Sequence, residues 1–229
     1  MIHHRRATLA LSCLLAAAFA TPDAQATEDD PGIWAVTATG GRLGGQDSRW
    51  RYSVDAQARY FDIGAGINQW LLRPGVGYDL GRNVSVWLGY GRFRTRGRSG
   101  AVVDENRYWQ DLVWSPRLGS GHRLSLRARL EQRSVSAGDD VGIVLRAMAR
   151  YTIPVRDSSR FFLGVEPFVD LNTTDWSGGT GLSQARLFAG FGWTLGKRMS
   201  VEAGYMQQYF KFETREDLIN HLAVVALRF

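Results

Sequence analysis

The chain has 229 residues, a formal charge of +6 and a single cysteine. One cysteine excludes a disulfide scaffold, and beyond the N-terminal region no run of about 18 apolar residues supplies a membrane-crossing helix. The basic balance invites a nucleic-acid partner, but the arginines recur at alternate positions of extended segments, so no nucleic acid is expected.

The N-terminus reads as an export signal. His3, His4, Arg5 and Arg6 form a basic start, Ala7 to Ala20 is apolar, and Ala24-Gln25-Ala26 offers a small-x-small cleavage site. Ala18-Phe19-Ala20 is a second such site. The apolar run is too short for a spanning helix. Cys13 lies inside it, followed by Leu14 and Leu15, which argues against a lipoprotein anchor. The expected organisation is a signal peptide over residues 1–26 and one domain over residues 27–229. Removing the leader takes away Arg5, Arg6 and Asp23, so the positive charge falls by one.

Period-two alternation dominates the rest. Ile33–Leu43 is the first expected strand. Trp50, Tyr52, Val54, Ala56, Ala58 and Tyr60 then oppose Arg51, Ser53, Asp55, Gln57 and Arg59. Trp70, Leu72, Pro74, Val76 and Tyr78 oppose Arg73, Gly75, Gly77 and Asp79, and Val84, Val86, Leu88 and Tyr90 oppose Ser85, Gly89 and Gly91. Residues 105–115 alternate less cleanly, with Tyr108, Leu112 and Trp114 on one side. Leu124 to Leu130 alternate with Ser125, Arg127, Arg129, Glu131 and Arg133; Leu145 to Tyr151 alternate with Arg146 and Arg150. Phe161 to Leu171 alternate with Gly164, Glu166 and Asp170, Leu187 to Trp193 with Arg186, Gly190 and Gly192, and Met199 to Tyr205 with Ser200, Glu202 and Gly204. No segment spaces its apolar residues for a helix. Short breaks such as Leu80–Asn83 and Leu195–Arg198 alternate with longer ones such as Thr95–Asp104 and Asn172–Ser183, the plan of a transmembrane barrel.

Alternation does not say which face is inside, and a soluble barrel or sandwich would bury the apolar one. Four features favour the inverse. Glycines collect on the polar face, where a narrow lumen must relieve crowding. Aromatics bracket the apolar faces, as with Trp50 and Tyr60 or Trp70 and Tyr78. The segments are long enough to cross a bilayer with tilt. The chain ends on Phe229 with Ala223, Val225 and Leu227 at alternate positions before it, a pattern that resembles the assembly signal read by the barrel assembly machinery. The fold class is therefore all-β, a single antiparallel transmembrane β-barrel of about 10–12 strands in the cell outer membrane of a Gram-negative bacterium. Ten strands run from Trp50 to Phe229; the Ile33–Leu43 strand makes eleven, which conflicts with an even count and two termini on one side.

The polar face carries the candidate chemistry: Asp55, Arg59, Arg73, Asp111, Arg127, Arg129, Glu131, Arg146, Arg150, Glu166, Asp170, Arg186 and Glu202. One reading is a structural network of mutually satisfied charges. The other is an anion-preferring channel or a site for an acidic ligand. Arg92, Arg94, Arg96 and Arg98 follow Tyr90 at the outer strand end, where they are either a solvated basic loop or contacts for lipopolysaccharide phosphates. A catalytic triad is not expected. His122 is expected to be a solvated turn residue, and His221, on the parity of Phe229, is the one position on which a lipid-active hydrolase would depend. No spacing suggests a structural metal site or a cofactor. Asp139, Asp140, Asp170 and Asp175 offer only the acidic loops common to calcium sites and to plain surface.

A series of short motifs carries a resemblance. Trp50-Arg51 is followed by Gln57-x-Arg59-Tyr60-Phe61-Asp62, Gln69-x-Leu71-Leu72-Arg73-Pro74-Gly75-x-Gly77-Tyr78 and Leu88-Gly89-Tyr90. Then come Asn106-Arg107-x-Trp109-Gln110, Arg127-x-Arg129-Leu130-Glu131-Gln132-Arg133 and Asp175-Trp176. Gln184-x-Arg186-Leu187-Phe188-x-Gly190 and Ala203-Gly204-Tyr205-x-Gln207-Gln208-Tyr209 complete it. In this order the series resembles a bacterial family of exported barrels catalogued as a domain of unknown function, family twenty-four ninety. The resemblance implies an outer-membrane barrel and no assigned activity. Pro167 beside Glu166 departs from the family's carboxylate-rich strand and is expected to bend it.

Overall fold

The computed structural model describes residues 28–62, 66–213 and 216–229; the expected signal peptide lies outside them. Eleven strands follow in chain order: β1 (Glu28–Arg42), β2 (Trp50–Asp62), β3 (Ile67–Gly81), β4 (Val84–Arg96), β5 (Val102–Trp114), β6 (Arg123–Val135), β7 (Val141–Arg156), β8 (Ser159–Asp170), β9 (Gly181–Leu195), β10 (Met199–Phe210) and β11 (Leu218–Arg228). Each pairs antiparallel with its successor, and β1 closes the barrel against β11. No helix among the described residues is long and apolar enough to cross a membrane.

Closure corrects one expectation. Strands that alternate in direction leave the first and last antiparallel only when their number is even. Here the number is odd, so β1 and β11 run parallel, in register from Glu28↔Leu218 to Ala38↔Arg228. The even count with both chain ends on one side does not hold: Glu28 and Phe229 sit at opposite ends of the barrel. The Phe229 end also carries the β1–β2, β3–β4, β5–β6, β7–β8 and β9–β10 connections. The β3–β4 and β7–β8 connections are two residues each, and in the first Arg82 and Asn83 both take positive φ, as a type I′ hairpin requires.

The burial pattern is inverted relative to a water-soluble protein. Leu88 is 65 % exposed and Trp50 54 %, whereas Arg129 is 4 % exposed and Glu131 1 %. Cross-strand neighbours share a face. Val76 pairs with Leu88 and Leu130 with Leu145 on the outer surface, while Trp34 pairs with Arg59 and Asp111 with Arg129 inside. Two irregularities fall at prolines, which lack the ladder's N–H donor. The β3–β4 pairing is interrupted at Arg73 and Pro74, and the β8–β9 register shifts between Phe168 and Val169, just after Pro167.

The inward glycines have a specific cause that alternation alone did not reveal. The Trp109 ring lies across Gly75 and Gly89, Trp87 across Gly77, and Phe188 across Gly164. A Cβ at Gly89 would stand 2.0 Å from Trp109 Cζ2 and 2.7 Å from the Pro74 carbonyl oxygen. Gly89→Ala is therefore expected to destabilise the barrel by about 1–3 kcal/mol through overpacking. Gly119→Ala, where an added Cβ meets open space, should leave stability unchanged. Urea unfolding of the two purified variants, followed by tryptophan fluorescence, distinguishes them.

Candidate functional site: the charged lumen

Each strand places an inward side chain at every second residue, so charges far apart in sequence meet across the lumen. Glu131 on β6 is the hub. Its Oε1 accepts from Arg146 Nη1 at 2.5 Å and from Arg129 Nη1 at 3.5 Å. Its Oε2 accepts from Arg133 at 2.7 Å and lies 3.5 Å from Arg107. Glu166 on β8 takes Arg146 at 2.7 Å, Arg127 closely, and Arg186 at 3.5 Å. Asp111 receives Arg129 through both Nε and Nη2, at 2.6 and 2.7 Å, a bidentate fork. Asp55 holds Arg73 at 2.9 Å, and Glu202 gathers Arg150 at 2.7 Å, Arg160 at 3.2 Å and Arg228 at 3.6 Å.

Arginines outnumber carboxylates here, and aromatic faces receive the excess. Arg59 lies 3.8 Å from the centroid of Trp34, Arg107 3.9 Å from Phe93, Arg129 4.2 Å from Trp109, and Arg150 4.0 Å from Phe162. Phe168 meets Arg146 at 4.2 Å and Arg186 at 4.6 Å. Desolvated contacts of this kind contribute about 2 kcal/mol each. Leu71, Phe93, Phe168, Gln208, Asn220 and Leu222 are buried at the same level, so packed side chains fill the section around Glu131. Toward the Phe229 end the lumen widens into a vestibule of about 1170 Å³ floored by Asp111, Arg127 and Arg129.

All thirteen sequence-expected polar-face residues point inward, and twelve take part in this arrangement. Asp170 stands apart on β8, away from the Phe229 end, with no ion pair among the described residues. The sequence reading missed the aromatic rings and Glu105, which holds Arg107 at 2.7 Å. Their signal was present: Trp34, Phe93, Trp109, Phe162 and Phe168 all break the apolar-out parity of their strands.

Arg92, Arg94 and Arg96 project outward from the end of β4 farthest from Phe229, and Arg98 lies in the turn beyond. Asp104 on β5 stands 3.0 Å from Arg92 and 3.9 Å from Arg94, and Asn106 accepts from Arg92 and from the Tyr90 hydroxyl. His122 is not simply solvated; its Nδ1 lies 2.8 Å from the Tyr151 hydroxyl. His221 is on the outer surface with its Nδ1 2.5 Å from the Tyr205 hydroxyl. The acidic loops are tied together rather than open. The Asp175 carboxylate accepts the backbone N–H of Asp139 and of Asp140, and Trp176 Nε1 donates to the Asp140 carbonyl. Ala223, Val225 and Leu227 face outward on β11, and the Phe229 N–H donates to the Ala38 carbonyl of β1 at 2.9 Å.

Removing one partner from a buried charge cluster leaves the others unmatched, at about 3–5 kcal/mol. Glu131→Gln, which leaves four guanidiniums facing a neutral amide, is expected to lower unfolding free energy by that amount. Arg42→Ala, which breaks an exposed 3.4 Å pair with Asp79, should cost less than about 1 kcal/mol. Equilibrium denaturation of both variants provides the comparison.

No solved structure matches the chain. An uncharacterized protein of Methylorubrum extorquens is 33% identical over 228 residues, covering 97% of this chain and 96% of that one. The family model described as "Protein of unknown function (DUF2490)" matches residues 32–219, which run from β1 into β11 and take in the charged network apart from Arg228. The chain belongs to this family.

Proposed function

We propose that the protein is an outer-membrane β-barrel of a Gram-negative cell, exported on a signal peptide over residues 1–26, with a non-catalytic, structural or ligand-interacting role. The observation that carries this reading is the inversion of the barrel: leucines and tryptophans cover the outside while a paired charge network fills the inside. Water around such a surface would leave a broad apolar face unsolvated, whereas lipid matches it. Closure removes every free strand edge, as hydrocarbon demands. In this orientation the Phe229 end faces the periplasm, and Ala223, Val225, Leu227 and Phe229 present the assembly signal to the barrel assembly machinery. Arg92, Arg94, Arg96 and Arg98 stand at the outer leaflet, where guanidinium forks suit lipopolysaccharide phosphates.

An anion-preferring channel lined by the arginines is disfavoured by the packed section around Glu131. A lipid hydrolase would rest on His221, whose Nδ1 lies 2.5 Å from the Tyr205 hydroxyl. The test combines sucrose-gradient fractionation of cells with planar-bilayer recordings of purified folded protein. The expected outcome is recovery with outer-membrane markers and no stable conductance steps. Recovery in the soluble fraction overturns the location, and anion-selective steps that change in Arg127→Ala/Arg129→Ala overturn the sealed lumen.

A further inference from the structure

Beside the vestibule lies a second cavity, a chamber of about 180 Å³, lined by Arg59, Arg73, Arg127, Arg146, Arg150 and Arg186. Glu166 and Glu202 are the carboxylates in its wall, and both are already shared. Glu166 serves Arg127, Arg146 and Arg186, and Glu202 serves Arg150, Arg160 and Arg228. Arg73 is matched by Asp55. Arg59 is 5 % exposed and has no carboxylate within 4.0 Å among the described residues. Its N–H groups donate to the amide oxygens of Gln57 and Gln69. Arg127 Nε is buried with no acceptor among the described residues.

The chamber therefore concentrates positive charge beyond what its own carboxylates neutralise, in a setting where an unmatched ion costs several kcal/mol. Guanidinium forks fit tetrahedral oxyanions closely, and several forks converging on one space match a multiply charged ligand with three free oxygens. The volume equals about six waters' share of liquid, enough for such a group. Access is built in as well. Val36, Arg73, Arg127, Met148 and Arg228 line both the chamber and the vestibule. At the vestibule mouth Arg49, Arg117 and Arg123 are exposed and have no carboxylate within 4.0 Å among the described residues, so the approach to the chamber attracts anions.

We propose that the chamber binds a phosphate group entering from the Phe229 end, either as the free ion or as the terminus of a larger molecule whose remainder occupies the vestibule. Arg127 supplies a buried donor without an acceptor and Arg59 a guanidinium without a carboxylate, and Met148 stands on the wall the two cavities share.

Equilibrium dialysis of the purified folded protein against radiolabelled inorganic phosphate tests this, with glucose 6-phosphate and succinate as competitors. The expected result is saturable binding, weakened about tenfold or more in Arg59→Gln and in Met148→Trp, which fills the shared wall without changing any charge. Arg117→Ala/Arg123→Ala, confined to exposed side chains, should bind more weakly at low salt and show a shallower salt dependence. Competition by glucose 6-phosphate stronger than by unlabelled phosphate identifies a larger phosphorylated ligand; the reverse identifies the free ion. Absence of saturable binding by folded wild-type protein overturns the proposal. So does binding that Met148→Trp and Arg59→Gln, or the exposed pair if those do not fold, leave unchanged. Because dialysis needs no membrane, a failed localisation would not be confused with a failed site.

Discussion

Every other feature of this barrel depends on carboxylates and arginines neutralising one another inside it. A buried ion pair stabilises only when its geometry is good and its remaining hydrogen-bonding groups are satisfied. Here Glu131 and Glu166 each accept from several arginines, and Arg146 bridges the two, bonding Glu131 at 2.5 Å and Glu166 at 2.7 Å. That bridge ties the neighbouring strands β6, β7 and β8 together through their lumen-facing side chains. With the charges held inside, the outer surface is free to be apolar, and the inverted burial follows.

The glycines and aromatic rings are the second half of the same solution. An arginine-rich interior needs more acceptors than its inward carboxylates provide, and ring faces supply them. Rings of that size lie flat against the wall only where the neighbouring strands carry no side chain, which is why Trp109 lies on Gly75 and Gly89. The parallel closure of β1 on β11 brings Trp34 into this layer, with Gln57 accepting its Nε1 proton and Arg59 stacked over it. The first strand is thus part of the packed interior, which accounts for an odd strand number where an even one was expected.

Much of this was legible in the sequence, because a period of two assigns each residue to one face before any register is known. The polar-face residues from Asp55 to Glu202 were identified that way, and the outward parity of Arg92, Arg94 and Arg96 likewise. Pairing was not legible: Glu166 meets Arg127 from two strands away, a contact set by the register of β6, β7 and β8 rather than by local spacing. Strand β1 was undervalued because Thr37, Thr39, Gly40 and Gly41 blur its alternation. The vestibule and the chamber were invisible for a different reason, since a cavity is defined by what the surrounding side chains fail to fill. Asp175-Trp176 was recognisable as a motif, but its work, fastening the β8–β9 loop to the β6–β7 loop, depends on residues 35 or more positions away.

The central claim is that the apolar face meets lipid and the charged face fills a lumen. The most direct test places single spin labels along β7 in bilayer-reconstituted protein, made simple because the sole cysteine, Cys13, falls in the expected signal peptide. Labels at Ile143, Leu145, Ala147 and Ala149 should be far more accessible to oxygen than to a polar nickel reagent, and a label at Met148 should be shielded from oxygen. Outward labels equally open to the polar reagent, or no alternation along the strand, would contradict the account.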